Sequence, residues 1–372
     1  MKRFILTLLV LVTLSAPFLA QEQAYIFTEE VNHGRSAVKD QCRTGTCWSY
    51  STVSFLESEV LRLTGKSIDL SEMFNVRMTY PKKAEMFIRY QGKHQFGPGS
   101  LSHDVMRAVE ANGIVPESAY PGHPVNQPKH DHGELDAVLE AMVKAVVEHR
   151  TAVSGKAWEA AVQGVLDAYL GAVPEQFTFE GQKYTPASFR DMLKITASDY
   201  VSLTSFSHHP FYAEFILEVP DNFSQGRFYN LPIDELEGVV LGALTSGFTV
   251  AWDADVSERG FSFRDGMALM PGEDVKKEDL FKTYITEPKV TQESRQAGFD
   301  NFQTTDDHLM HITGLAKDQK GNRYFIVKNS WGVDNPNGGY QYVSMAYFRA
   351  KTVAVMLHKR ALPLPLLKKS GY

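Results

Sequence analysis

Apolar residues recur at spacings of three and four along the first half of the chain, which is the spacing of a helix with one buried face. The clearest set lines one face of a helix that begins near Cys47 and is capped by Gly65: Val53, Leu56, Val60 and Leu63. The same spacing predicts a helix ending at Gly113, after the glycine-rich segment FGPGS, and two helices between positions 135 and 169. A shorter helix is predicted at Thr185, with Pro186 in its first turn.

Strand patterns replace the helical spacing after about position 201. Five segments have the composition of strands: AEFILEV, FTVAWDADV, HLMHITGLA, RYFIVKNSW and GGYQYVSM. One helix, IDELEGVVLGALTSG, interrupts them. A helical first half followed by a β-rich second half predicts an α+β protein with two lobes.

The first twenty residues, MKRFILTLLVLVTLSAPFLA, have the pattern of a secretory signal. Lys2 and Arg3 precede an apolar run that is too short to span a bilayer comfortably. We therefore expect cleavage after Ala20 and export to the periplasm or the exterior, with no membrane span after removal; an uncleaved anchor is the alternative.

Composition and charge narrow the function. With 372 residues, 43% of them hydrophobic and 22% charged, the chain is long enough for about two globular domains. A net charge of −6 and the lack of a basic stripe argue against nucleic acid as a partner. GPGS is not a phosphate loop, and HDH at positions 130–132 is expected to be a solvated loop, so neither cofactor nor metal is predicted.

Two cysteines are candidates for chemistry, Cys42 and Cys47. An exported protein meets oxidising conditions, and a thiol there is either reactive or packed as a small apolar group. Cys47 lies at the amino end of the first predicted helix, where unpaired N–H groups favour an anion.

A histidine suited to partner a thiol lies in the predicted hairpin HLMHITGLAKDQKGNRYFIVKNSWG. His308 falls nearly opposite Asn329, whose side chain could hold the imidazole, while His311 points to the other face. A partly buried strand histidine without chemistry is the alternative.

These segments resemble a known family. QCRTGTCW is similar to the nucleophile motif of papain-like cysteine peptidases, and His308 with Gly314, followed by KNSWG, resembles that family's His and Asn blocks in the same order. The segments YLGAVPEQFTFEG, TPASFRDM and FYNLPIDELEGVVLGALTSG are closer to the bleomycin hydrolase and aminopeptidase C group.

The resemblance implies a papain-like two-lobed fold with a helical insert. It divides the chain into a signal (1–20), a helical lobe with the nucleophile helix (21–130), a helical insert (131–200), a β-rich lobe with His and Asn (201–360) and a C-terminal arm (361–372).

It also implies site roles. Cys47 is the nucleophile, His308 its acid–base partner, Asn329 the residue that orients the ring, and Gln41 an oxyanion donor. Trp331 shields the His–Asn contact, the FGPGS loop lines the substrate cleft, and Cys42 is an incidental thiol or, alternatively, an oxidation partner of Cys47.

The function implied is an exported thiol peptidase that hydrolyses peptide bonds through a thioester. Aminopeptidase specificity is expected, gated by an extended C-terminal arm whose last residue, Tyr372, offers its carboxylate to the substrate's amino group. The group is typically hexameric, so a homo-oligomer is possible. The alternatives are a papain-like endopeptidase and an inactive papain-fold binding protein; a transglutaminase-type enzyme would need Asp where KNSWG supplies Asn.

Overall fold

The computed structural model describes residues 24–123, 129–149 and 155–372, so the expected signal at 1–20 lies outside the described residues. Within those ranges, no helix is both long enough and apolar enough to cross a membrane.

Helices dominate the first half of the described chain. Those of at least seven residues are α1 (Cys47–Thr64), α2 (Glu72–Arg89), α3 (Ser102–Asn112), α4 (Gly133–Glu148), α5 (Ala157–Leu170), α6 (Pro186–Met192), α7 (Ile233–Thr245), α8 (Gln292–Asp300), α9 (Met345–Lys351) and α10 (Leu364–Ser370).

The strands lie mostly in the second half. They are β1 (Thr28–Asn32), β2 (Phe177–Phe179), β3 (Gln182–Tyr184), β4 (Tyr200–Thr204), β5 (Glu214–Ile216), β6 (Arg227–Asn230), β7 (Val250–Ala254), β8 (Phe261–Ser262), β9 (Met267–Ala268), β10 (His308–Lys317), β11 (Arg323–Lys328), β12 (Tyr340–Ser344) and β13 (Thr352–His358). The predicted α+β class is confirmed.

One large mixed sheet organises the β-rich lobe. Its strand order is β5-β6-β4-β13-β7-β10-β11-β12-β9-β8, and β1 adds to β10. The centre of this sheet, β7-β10-β11, consists of antiparallel neighbours. All ten residues of β10 except Lys317 are buried, because α1 packs on one face of the strand and α7 on the other.

Two cores lie on opposite faces of the sheet. The first contains the helices of the first half and the inward residues Ala251 and Leu309. The second contains Trp252, Met310 and the apolar face of α7. Neighbours along β7 and β10 therefore alternate between the cores, as the period of a strand requires.

The predicted domain boundaries remain untested, but two of the predicted ranges contain strands that were not expected in them. Strand β1 belongs by sequence to the range 21–130, yet it pairs with β10 of the other lobe. The range 131–200 contains the β2-β3 hairpin as well as helices.

The C-terminal prediction of an extended arm is wrong for most of its length. The segment forms α10 with a proline in its first turn, a position where the missing N–H costs nothing. Leu366 is buried in the second core. The Tyr372 hydroxyl donates to Glu214 at 2.8 Å, and the Tyr372 ring lies against Tyr229.

Candidate active site

Cys47 is the first residue of α1, and its neighbour anchors it to the glycine-rich loop. Trp48 is 1% exposed, and its indole N–H donates to the Pro98 carbonyl at 2.9 Å. A Cβ atom on Gly45 would approach Pro98 Cγ to 2.5 Å, so the chain entering the helix needs glycine there. These contacts place the thiol at the amino end of a buried helix beside the loop.

His308 and Asn329 meet across the β10-β11 hairpin, as the sequence predicts. His308 Nε2 lies 2.8 Å from Asn329 Oδ1, and Asn329 Nδ2 donates to Gln341 Oε1 at 2.8 Å. The Trp331 ring stacks on the imidazole, with centroids 4.4 Å apart and planes at 28°. The carboxamide is thus held from behind, and the indole covers the His–Asn contact.

His311 lies on the other face of β10, which confirms the second part of the hairpin prediction. It is fully buried, and its Nδ1 lies 2.9 Å from the Ser54 hydroxyl of α1. Lys328 donates to the same hydroxyl at 2.8 Å. His311 therefore belongs to the packing between α1 and the sheet.

The thiol and the imidazole approach through the backbone of β10. A hydrogen bond from the Leu309 backbone reaches Cys47, which places the sulfur beside the residue that follows His308. Because Asn329 occupies Nε2, Nδ1 is the ring atom left for the thiol. Among the described residues no hydrogen bond joins Cys47 to His308, and such contacts often tighten only when substrate binds.

Burial is the main influence on the pKa of both groups. It raises the pKa of Cys47 to about 12, and Asp306, Asp221 and Asp253 raise it further, against the Leu309 hydrogen bond. Burial also lowers the pKa of His308 to about 4, although Asn329 and Asp307 act in the opposite direction. The sequence predicts a thiolate at the helix end, whereas these pKa shifts favour a neutral thiol and a neutral imidazole.

Gln41 is buried beside the motif and held at both ends of its amide. Its Oε1 accepts from the Ser330 hydroxyl at 2.6 Å, and its Nε2 donates to the Thr44 carbonyl at 2.8 Å. The second Nε2 hydrogen is not used by that bond. The Cys47 N–H belongs to the first turn of α1 and has no intrahelical acceptor.

Cys42 is separate from this arrangement. Both cysteines are free thiols, and Cys42 has a positive φ of 55° with its Sγ 3.5 Å from the Asp40 carbonyl. It shares no described contact with Cys47, and its role as an incidental thiol stays a prediction.

The structure also gathers polar residues that the sequence did not single out. Asp253 and Asp306 lie close enough to each other and to Cys47 to affect one another's pKa values. The signal available in the sequence was a carboxylate inside the otherwise apolar strand VAWDA. A local pattern could not show that it lies near the thiol.

The HDH segment differs from its predicted surroundings. It is not fully solvated, because His132 is 4% exposed, and burial lowers its pKa to about 4. His208 and His209, in the turn before Pro210, both contact Glu218, at 3.1 and 2.6 Å. The ligand atoms of these three residues lie within 4.8 Å of one another, a spacing that the two contacts explain.

A partly buried helix-end thiol, a histidine held by an asparagine, and a covering tryptophan, placed between a helical and a β-rich lobe, define a papain-like thiol hydrolase. The chain belongs to the Peptidase C1-like family, whose model matches residues 99–370. It is a cysteine-type peptidase by that membership. The matched range includes His308 and Asn329 and begins after Cys47, so the nucleophile rests on the motif and the geometry.

The chain is also similar in sequence to proteins named as aminopeptidases. The chain is 23% identical to aminopeptidase G of Lactobacillus delbrueckii subsp. lactis over 87% of its length and 81% of the relative. It is 24% identical to aminopeptidase C of Lactobacillus helveticus, over 92% and 83%. The crystal structure of PepW from Lactobacillus rhamnosis HN001 superposes with a TM-score of 0.74 at 21% identity, covering 92% of this chain and 84% of that one.

Proposed function

We propose that the protein is a cysteine aminopeptidase that releases N-terminal residues from peptides. The observation that carries the proposal is the His308–Asn329 pair, which lies at the end of the strand that contacts Cys47. The relatives named aminopeptidases support the specificity.

The geometry supports a two-step acyl transfer. The Cys47 proton passes to His308 Nδ1, and the sulfur attacks the substrate carbonyl carbon. The amide C–N bond then breaks, and the leaving nitrogen takes the proton from His308. Water, deprotonated by the same ring, attacks the thioester, which releases the acyl group as a carboxylic acid and returns the proton to the thiol.

Asn329 and the amino end of α1 stabilise the pair formed by the Cys47 thiolate and the His308 imidazolium. Asn329 accepts from the ring nitrogen that faces away from the thiol, so it orients the imidazolium. The unpaired N–H groups at the start of α1 stabilise negative charge on the sulfur. The tetrahedral oxyanion takes the Cys47 N–H and the second amide hydrogen of Gln41 as donors.

Gating by the C-terminus remains a prediction, and the described contacts give it no support. Tyr372 lies on β6 and β5 through Tyr229 and Glu214. Strands β13 and β4 separate β6 from β7. At about 4.8 Å per strand, β6 and β7 are about 14 Å apart.

Endopeptidase activity is the competing function, and a pair of substrates separates the two. An aminoacyl-coumarin with a free amine should be hydrolysed, and its N-acetylated form much less. Cys47→Ala should abolish turnover, whereas the matched Cys42→Ala should keep most of it, because the Cys42 thiol lies against the Asp40 carbonyl and no described hydrogen bond joins it to Cys47, His308 or Asn329. Loss of turnover in Cys42→Ala alone would show that the nucleophile is misassigned.

We also propose export of the protein, supported by the signal-like residues 1–20. N-terminal sequencing of the protein recovered from outside the cytoplasm should begin at Gln21. A homo-oligomer, hexameric by resemblance, is a further proposal that light scattering of the purified protein would test.

A further inference from the structure

Two carboxyl groups beside the thiol lack donors. Asp253 is 3% exposed, and neither of its carboxylate oxygens has a hydrogen-bond partner among the described residues. Oδ2 of Asp306 is buried and likewise without a partner. Buried polar groups are nearly always paired, so two unsatisfied carboxyls side by side need a reason.

The positions of Asp253 and Asp306 in the fold place both residues near Cys47. Asp253 of β7 is directly opposite Leu309 of β10, so both side chains lie on the sheet face covered by α1. The Leu309 backbone is the group that contacts the Cys47 sulfur. Asp306 precedes His308 by two residues and is partly exposed, so it can meet a ligand while Asp253 lies behind it.

The two groups interact strongly. Burial raises the pKa of Asp253 and Asp306 raises it further, whereas Asp253 lowers the pKa of Asp306. Burial is the main cause of the raised pKa of Asp306, about 8, and Asp221 and Asp307 also affect it. Asp221 itself touches the glycine-rich loop, where a Cβ on Gly99 would meet its carboxylate.

Nearby cations are committed elsewhere. Lys83 donates to the carbonyls of Gly97 and Gly99, the former at 2.7 Å. Lys351 Nζ lies 3.7 Å from Asp255 Oδ2, and among the described residues it forms no ion pair with Asp253. A cationic group from the substrate would therefore supply the charge that the pair lacks.

We infer that Asp306, supported from behind by Asp253, binds the α-ammonium group of the substrate's N-terminal residue. This deepens the proposed function and rests on it. In the acylated residue the amino nitrogen lies only about 2.5 Å from the attacked carbonyl carbon, two bonds away. A carboxylate that binds this amino group must therefore lie close to the thiol. Asp306 meets this condition, whereas the contacts of Tyr372 do not place the C-terminal carboxylate there.

The arrangement also links recognition to activation. The carboxyls of Asp306 and Asp253 oppose ionisation of the Cys47 thiol. An ammonium group in contact with Asp306 favours release of the Asp306 proton to solvent and offsets the negative charge near the sulfur, which favours ionisation of Cys47. A substrate with a blocked amine provides no such charge.

Asp306→Asn tests the inference on turnover. The wild type should prefer leucyl-coumarin to acetyl-leucyl-coumarin, and the variant should lose about 10- to 100-fold in kcat/KM on the free amine while its rate on the acetylated substrate stays or rises. An equal loss on both substrates would overturn the inference. A matched control is Glu214→Gln, together with deletion of residues 368–372; collapse of the preference in either would make the C-terminus the anchor instead.

Binding by an inactive protein separates this inference from the proposed function. Cys47→Ala should bind leucinamide, measured by calorimetry, at least about 10-fold more tightly than acetyl-leucinamide, and Cys47→Ala/Asp306→Asn should not. Equal binding of the two amides would sink the inference even if the peptidase activity stands. Conversely, selective binding would stand even if turnover failed.

Asp253→Leu tests the positioning role. Because Asp253 lowers the pKa of Asp306, its removal should make Asp306 ionise at higher pH, so the acid limb of kcat/KM for leucyl-coumarin should move to higher pH while the preference for the free amine persists. An unchanged pH profile would remove Asp253 from the arrangement. A basic endopeptidase substrate that depends on Asp306 would mean that the pair recognises a side chain, which also contradicts the inference.

Discussion

At the scale of single residues, the site combines neutral groups that become charged during the reaction. Burial, helped at the thiol by nearby carboxyls, raises the pKa of Cys47, and burial lowers the pKa of His308, so ion-pair formation depends on what enters the cleft. Hydrogen bonds within the protein hold the ring of His308 and the amide of Gln41 before any ligand binds. The side chains are therefore in position before a substrate binds, whereas the thiol and the imidazole are still neutral.

Replacement of Gln41 should affect the transition state more than binding. Gln41→Ala removes one oxyanion donor, so kcat should fall about 100- to 1000-fold with KM little changed. Ser330→Ala is the matched control, because it removes the hydroxyl that holds Gln41 Oε1 and keeps the donor. Steady-state kinetics with leucyl-coumarin decides it; a similar loss in both variants would indicate a structural role for the glutamine.

Asp306 should destabilise the protein in alkaline solution. Its pKa is raised from 3.8 to about 8, so the folded form holds the proton more tightly than the unfolded form. The stability that this gives is complete below about pH 4 and is lost as pH rises towards 8. Asp306→Asn should therefore gain stability relative to the wild type across that window, as measured by urea unfolding at several pH values. A constant difference from pH 4 to 9 would contradict the shift.

At the scale of elements, the site depends on one helix and one hairpin whose sequence patterns are strong. The apolar stripe and Gly65 predict α1 well, and Gly65 indeed adopts φ 73° at its end. The β10-β11 hairpin is equally clear. Helix α2 was not predicted, because Pro81 interrupts it and charged residues obscure its apolar stripe.

Pro81 should lower the stability of α2, because it lies inside the helix. A proline inside a helix removes one backbone hydrogen bond and crowds the preceding turn. Pro81→Ala should raise the free energy of unfolding by about 1–2 kcal/mol, less than the full helix-interior cost because proline also restricts the unfolded chain. Denaturant unfolding with an unchanged m-value would measure it. Glu85→Ala, an exposed-face change in the same helix, is the control expected to stay within about 0.5 kcal/mol.

At the scale of the whole molecule, local patterns identified the chemistry but not the assembly of the sheet. His308, Asn329 and Cys47 could be found because each lies in a motif with a fixed spacing. Strands β1, β4, β6 and β13 were missed, since their pairing partners are distant in sequence, as with β13 and β4. The Asp253–Asp306 pair was missed for the same reason, because only strand pairing brings the two together.

The segment before the nucleophile is also tied to α2 by a charge pair, which gives a test of how that segment is held. Lys39 lies 2.8 Å from Glu72 Oε2 at the start of α2, and Glu72 is 3% exposed. Burial raises the pKa of Glu72 to about 8, and Lys39 acts against that shift.

Lys39→Met should leave Glu72 buried without its cation and lower the free energy of unfolding by about 3–5 kcal/mol, because an unpaired buried charge is costly. Lys39→Met/Glu72→Leu should recover much of this loss, since both charges are gone. The coupling is read from a double-mutant cycle of urea unfolding curves, with exposed Lys66→Met as the control. Additive losses would mean that the two side chains act independently, and the segment that leads to Gln41 would then be held by its backbone bonds to Ser330 and by strand β1 rather than by this pair.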